Sequence, residues 1–142
     1  MKKILIISAN FYPKISQLLL AGAIKKISDS GYEFETVDLP GVFEIPAAIG
    51  FAKDSKKYEG YIALGCVIRG KTTHYDYVCS ESARGLNELA IKEKLAIGYG
   101  IITVENEAQA LERADPAKKN KGGMAAAACL AMIELRKKFL IN

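Results

Sequence analysis

One segment, residues 64–77, carries the residue types best suited to chemistry. It follows an apolar stretch that is typical of a buried strand, and it precedes a helical pattern. Gly70 would let the backbone approach a ligand closely, and Lys71 adds a positive charge. A helix capped by Thr72 or Thr73 would present free N–H groups and a favourable dipole to an anion such as phosphate. A solvent-facing, capped loop with an incidental lysine explains the same residues equally well.

His74, the only histidine of the chain, would lie in the first turn of that helix. The positive end of the helix dipole there favours the neutral imidazole. A neutral imidazole beside a phosphate site could transfer protons in an elimination or a condensation. Taken alone, a surface histidine near a helix start is the commoner case.

Aromatic and acidic residues follow two other predicted strands. Phe43 and Glu44 could hold a planar heterocycle between a flat ring and a carboxylate that accepts hydrogen bonds. Phe11 offers a second aromatic ring after the first strand. The alternative places Phe11, Phe43 and Tyr99 in the core and makes Glu44 a helix-start carboxylate.

A last group of charged residues lies near the end of the chain. Arg113, which closes a short predicted helix, could reach a phosphate with its planar guanidinium. Residues 118–123 form a basic run before the final helix. Such a run is usually a solvated face, so each of these signals is weak by itself.

Strand-like and helix-like patterns alternate along the whole chain and must position these residues. We predict strands over 3–8, 32–39, 61–67 and 96–104, and helices over 15–30, 45–55, 74–94, 107–113 and 123–139. Four alternations of strand and helix predict an α/β fold with a four-stranded, mainly parallel sheet and helices on both faces. In such sheets ligands bind beyond the carboxyl ends of the strands, where all the candidate loops would meet.

Composition limits the function. The chain has 142 residues with 20 basic and 16 acidic side chains, and its net charge of +4 suits an anionic small molecule. The sequence has no basic stripe with interleaved aromatics, so nucleic-acid binding is not favoured. The apolar run at 4–7 is too short for a signal peptide or a membrane span. Three widely spaced cysteines and a single histidine favour free thiols, a cytoplasmic location and no metal.

Taken together, these segments resemble the lumazine synthase family over essentially the whole chain. The matching segments are Phe11, 40–46, 65–78, 103–106, 111–114 and 120–122. The resemblance implies one domain over residues 1–142 with a flavodoxin-like three-layer α/β/α sandwich. It also implies condensation of 5-amino-6-(D-ribitylamino)uracil with 3,4-dihydroxy-2-butanone 4-phosphate, which releases phosphate and water in the penultimate step of riboflavin biosynthesis. The implied enzyme uses no cofactor and no metal.

The resemblance assigns roles to individual positions. The pyrimidine and ribityl contacts would be Phe11, Val42, Phe43, Glu44, Cys66, Val67, Ile68 and Tyr99. The phosphate contacts would be Lys71, Thr72, Arg113 and Lys121, and His74 would carry the proton. A homopentamer is implied, with a 60-subunit shell as the larger alternative, and its active sites lie between subunits. Tyr99, Arg113 and Lys121 would come from the neighbouring subunit.

The chain departs from the family pattern at three places. Position 66 is Cys where many members have Thr, Tyr99 stands where Phe is common, and residues 115–117 replace a more usual Gly-Thr-Lys-like stretch. Two other functions fit the same fold, namely a non-catalytic flavin- or lumazine-binding protein and an unrelated interaction domain. The presence of both His74 and Arg113 argues against the binding protein, because binding alone needs no proton carrier.

Overall fold

The computed structural model describes residues 2–140, and it confirms the predicted alternation of strands and helices. The elements in chain order are β1 (Lys3–Ala9), α1 (Pro13–Asp29), β2 (Phe34–Leu39), a single 3₁₀ turn (Val42–Glu44), α2 (Ile45–Lys53), β3 (Tyr58–Ile68), α3 (His74–Lys92), β4 (Ile97–Val104), α4 (Glu107–Ala114) and α5 (Lys121–Leu140). None of the helices in this described part of the chain is long and apolar enough to cross a membrane.

In the described residues, the four strands form one sheet in the order β2-β1-β3-β4, and every pairing is parallel. The central position of β3 agrees with the unbroken apolar run that predicts it. All residues from Tyr61 to Val67 are buried, as expected for a strand that is covered on both faces. The sheet therefore brings the ends of all four strands to a single edge.

Helices cover both faces of the sheet and divide the core into two clusters. One cluster joins α1, α4 and α5 to strand residues such as Ile6 and Ile62. The other joins α2 and α3 to the strand residues that point the opposite way, such as Ile7 and Ala63. This alternation follows from the two-residue period of a strand, and it confirms the three-layer α/β/α arrangement.

Five predicted element ends are wrong by two residues each, among them the start of α1 and the end of α2, and β3 begins three residues earlier than predicted. Three of these errors are explained by a left-handed residue. Strand β2 begins at Phe34 and not at residue 32, because the left-handed Gly31 (φ 80°) is still completing the C-terminal turn of α1. Helix α3 ends at Lys92 and not at residue 94, since Lys94 is left-handed with φ 55°. Helix α5 begins at Lys121 and not at residue 123, because the left-handed Asn120 precedes it.

The start of α5 is packed closely against α1. A Cβ atom at Gly122 would lie 2.0 Å from the carbonyl oxygen of Leu19, so the two backbones are in direct contact there. The side chain of Asn120 accepts a hydrogen bond from the N–H of Gly123 at 3.2 Å. This crossing fixes the position of Lys121, the first residue of the helix.

Candidate active site

A pocket of about 580 Å³ lies at the carboxyl edge of the sheet, where the connections after β1, β2 and β3 meet. Its lining residues are Phe11, Tyr12, Gly41, Val42, Phe43, Glu44, Cys66, Val67, Ile68, Gly70, Thr72, His74, Tyr75 and Val78. The sheet order changes direction between β1 and β3, and open α/β sheets bind ligands at such a switch point. The predicted location of the site is therefore a real cavity of small-molecule size.

The short 3₁₀ turn forms one wall of the pocket. Val42 is buried, and a Cβ atom at Gly65 would lie 2.5 Å from its Cγ2 atom, so the turn packs directly on the backbone of β3. With Val42 held inward, the ring of Phe43 remains 53% exposed. The carboxylate of Glu44 folds back towards Gly41, where a Cβ atom would lie 3.2 Å from Oε1. The turn thus presents a ring and a carboxylate side by side.

Phe11 faces the pocket from the β1–α1 connection. Its ring is 68% exposed and meets the ring of Tyr12 edge to face, with 4.9 Å between the centroids. This exposure excludes an ordinary core role for Phe11, and the exposure of Phe43 excludes it there as well. Two open aromatic rings on one pocket provide surfaces on which a planar heterocycle can stack.

The end of β3 contributes Cys66, Val67 and Ile68 to the pocket. Burial raises the pKa of the Cys66 thiol to about 12, so the sulfur is protonated at neutral pH. We expect this segment to contact a ligand through its shape and its backbone groups. An ionised sulfur plays no part in that contact.

The start of α3 and the loop before it complete the pocket with the exposed His74 and with Thr72. Thr73 is the N-cap residue, yet within residues 2–140 its side chain makes no capping hydrogen bond. The hydroxyl of Thr72 instead accepts a hydrogen bond from the N–H of His74 at 3.3 Å. At Gly70 a Cβ atom would have no described atom within 4 Å, so the backbone there is open to a ligand.

The sequence of the chain is similar to a well-defined family of enzymes. The profile of the 6,7-dimethyl-8-ribityllumazine synthase family matches residues 1–137. The chain belongs to this family. A lumazine synthase of Bartonella tribocorum is 53% identical over 137 residues, which cover 96% of this chain and 91% of that protein. A lumazine synthase of Sphingopyxis alaskensis is 50% identical over 142 residues, the whole of both chains.

Among the described residues, four of those predicted from the resemblance to lumazine synthases lie outside the lining of this pocket: Lys71, Tyr99, Arg113 and Lys121. Lys71 is exposed on the loop beside the lining residues Gly70 and Thr72. The ring of Tyr99 is 44% exposed on β4, the edge strand of the sheet. The guanidinium of Arg113 donates a hydrogen bond to the carbonyl oxygen of Gln109, one turn earlier in α4.

The pocket of this lumazine synthase family member also contains residues that our sequence reasoning missed. Tyr12, Gly41, Tyr75 and Val78 line it but are absent from the predicted site. Helical spacing could have indicated Val78, because it lies four residues after His74 and hence on the same side of α3. Tyr12 and Tyr75 carry no comparable signal, because the direction of each side chain depends on how its helix packs on the sheet.

The described residues 2–140 contain no group of three or more His, Cys, Asp or Glu side chains that could hold a metal ion. The polar groups of the pocket are instead a carboxylate, an imidazole, hydroxyls and the start of a helix. This set can accept and donate hydrogen bonds, bind an anion and transfer a proton.

Proposed function

We propose that this pocket binds both substrates of the lumazine synthase reaction and that residues 1–142 form the single domain that catalyses it. Membership of the family makes the chain a transferase of riboflavin biosynthesis. The reaction condenses 5-amino-6-(D-ribitylamino)uracil with 3,4-dihydroxy-2-butanone 4-phosphate to 6,7-dimethyl-8-ribityllumazine, with release of phosphate and water. The observation that carries the site assignment is the meeting of three separate predicted segments, around Phe11, Glu44 and His74, in one pocket.

The pyrimidine would lie among Phe11, the 3₁₀ turn and the end of β3. Exposed aromatic rings favour stacking with a planar heterocycle. The carboxylate of Glu44 can accept hydrogen bonds from ring or ribityl donors. Cys66, Val67 and Ile68 would form the floor below the ring, with Val42 fixing the turn beside it.

The phosphate of the second substrate would lie at the start of α3. The N-terminus of a helix attracts anions through its N–H groups and its dipole. Thr72 adds a hydroxyl, Lys71 adds a positive charge, and the open backbone at Gly70 permits close approach. The leaving phosphate would thus be stabilised by fixed donors.

His74, the first residue of α3, would lie beside the proposed anion site and transfer the protons. An aromatic amine of the pyrimidine attacks the ketone, the resulting imine loses phosphate, and the second amine closes the ring. Each step moves a proton to or from nitrogen, oxygen or carbon, which a neutral imidazole can assist. Holding both substrates in one pocket supplies a large further gain through proximity.

The remaining predicted residues would reach the pocket from a neighbouring subunit of a homopentamer, with a 60-subunit shell as the larger alternative. The exposure of Tyr99 on an edge strand supports this proposal. The position of Arg113 and Lys121 outside the lining of their own chain's pocket supports it as well. We also propose a cytoplasmic location, in which the three cysteines, all in the described part of the chain, would remain free thiols.

The decisive experiment mixes the purified protein with both substrates and follows lumazine fluorescence and phosphate release against an uncatalysed control. We expect accelerated formation of product with stoichiometric phosphate. Tight binding of riboflavin or lumazine without turnover would instead support a non-catalytic binding protein.

Subunit mixing tests the shared active site. The His74→Ala and Arg113→Ala variants should each be slow, and unfolding and refolding them together should restore activity, because some mixed sites then contain both wild-type residues. His74→Ala mixed with Phe11→Ala is the matched control, since we assign both residues to the same subunit. Equal recovery in the two mixtures would contradict the assignment of Arg113 to the neighbour.

A further inference from the structure

Arg69, the first residue after β3, binds three parts of the protein around the pocket. Its backbone N–H donates a hydrogen bond to the carbonyl oxygen of Val104 at 2.9 Å. Its Nε atom lies 3.0 and 3.2 Å from the two carboxylate oxygens of Glu105. Its Nη1 atom is 3.6 Å from Asp76, and its guanidinium carbon lies 4.2 Å from the centre of the Tyr75 ring.

Two of these partners belong to the first turn of α3, which carries His74. Tyr75 lines the pocket directly, and Asp76 is the third residue of the helix. The Thr73 side chain makes no capping bond within the described residues, so the turn depends on other contacts for its position. The stacked and charged contacts from Arg69 supply two of them.

The third partner, Glu105, is part of a well-ordered corner between β4 and α4. The N–H of Glu105 donates to the side-chain oxygen of Gln109 at 2.8 Å. The N–H of Gln109 in turn donates to the side chain of Asn106, the N-cap of α4, at 2.9 Å. Arg69 therefore connects the first turn of α3 to a corner that is held by helix-capping hydrogen bonds.

We infer that Arg69 is a positioning residue, which holds the start of α3 against the β4–α4 corner and so sets the direction of His74 and of the phosphate-binding N–H groups. This inference rests on the proposed function. Arginine suits the role because its planar guanidinium can meet a carboxylate with one edge and an aromatic ring with its face. Lysine carries the same charge but lacks the planar group and the paired N–H donors of the guanidinium.

The test compares Arg69→Gln and Arg69→Lys with Arg84→Gln, a control arginine on the helix α3. Arg84 is 61% exposed, pairs with Glu81 at 2.9 Å, and lies outside the pocket lining of the described chain. For each variant we would measure kcat, KM for the keto phosphate, inhibition by inorganic phosphate, the oligomeric state, and amide hydrogen exchange of residues 73–76.

We expect Arg69→Gln to lower kcat on the order of 10- to 100-fold, the loss that misplacement of catalytic groups by about 1 Å produces. Inhibition by phosphate should weaken and exchange in residues 73–76 should accelerate, with kcat only partly restored in Arg69→Lys. Arg84→Gln should keep wild-type values. Equal values for Arg69→Gln and Arg84→Gln in an active wild-type background would overturn the inference, and so would full rescue by lysine. An inactive wild type would instead contradict the proposed function. Amide hydrogen exchange of residues 73–76 would still show whether Arg69 holds the start of α3.

Discussion

The hydroxyl oxygen of Thr72 accepts a hydrogen bond from the backbone N–H of His74, with 3.3 Å between the two atoms. This bond joins a residue that we assign to phosphate binding to the residue that we assign to proton transfer. The N–H of Asp76 is satisfied by the carbonyl oxygen of Thr73 at 3.0 Å. These two bonds tie the loop to the first turn of α3, so a phosphate bound at Thr72, as we propose, would lie close to the imidazole.

We predict that His74→Ala lowers kcat by about 10²–10⁴-fold without abolishing turnover, because proton transfer by one side chain contributes about that much. The other contributions, proximity and the anion site, remain in the variant. Steady-state kinetics with both substrates would measure the effect. Since His74 is exposed, its removal should leave the midpoint of thermal unfolding nearly unchanged. Complete loss of turnover in a folded variant would show that His74 does more than transfer protons.

Phe11→Ala should weaken binding of the product lumazine by about 2- to 10-fold, since an aromatic stack contributes about 0.5–1.5 kcal/mol. Fluorescence titration would give the Kd. The free energy of unfolding should hardly change, because the ring is 68% exposed. Phe51→Ala is the control, as Phe51 is also exposed but does not line the pocket in the described chain. Similar losses of affinity in both variants would argue against stacking on Phe11.

We predict slow alkylation of Cys66 and Cys129 by iodoacetamide in the native protein. Burial raises the pKa of each thiol to about 12. At pH 8 the reactive thiolate should therefore form on the order of 10³-fold less often than in the unfolded chain. Peptide mapping by mass spectrometry after timed quenching would follow each cysteine separately. Fast alkylation of Cys66 alone would mean that the end of β3 opens readily to solvent.

The carboxylate of Glu35 should make the protein sensitive to acid. It accepts hydrogen bonds from the hydroxyl of Tyr58 at 2.5 Å and from Lys3 at 3.0 Å. These contacts, that with Tyr58 foremost, lower the pKa of Glu35 in the folded state. A lowered pKa means that the unfolded chain binds the proton more tightly. The stabilisation is therefore complete above the ordinary value of about 4.3 and is lost as the pH falls through the folded value.

Urea unfolding of Glu35→Gln between pH 7 and pH 2 would test this expectation. The variant should be less stable than the wild type at pH 7, and the gap should close as the pH falls below about 4. Asp38→Asn, at an exposed position of the same strand, controls for the loss of one negative charge. A gap that stays constant with pH would contradict the lowered pKa.

Much of the fold follows from the sequence because its main signals are local. The apolar run at 61–67 predicts a central strand, and that segment is buried throughout. The 3₁₀ turn at Val42–Glu44 was not predicted, since it depends on Val42 packing against Gly65, a contact between residues far apart in the chain. Three of the wrong helix and strand ends have a similar origin in left-handed residues such as Lys94, whose conformation a periodic pattern does not indicate.

The candidate site also has a part that the sequence predicts and a part that it does not. The sheet edge was predictable, because every parallel strand delivers its carboxyl end to the same side. Residues such as Phe11 and His74 follow directly from that rule and from the family resemblance. The role of Arg69 was not predictable, because its contacts join β3, α3 and the β4–α4 corner, and only the folded chain shows that Glu105 and Tyr75 lie within reach.

The contact between Gly122 and the carbonyl oxygen of Leu19 limits how this protein can evolve. Any substitution at position 122 adds a Cβ atom, and that atom has no space unless α1 moves. A shift of α1 would also displace the pocket connection at its start, so one mutation would disturb both the scaffold and the site. We therefore expect a side chain at position 122 only together with a second change that relieves this crossing, whereas single substitutions on the exposed face of the same helix meet no such barrier.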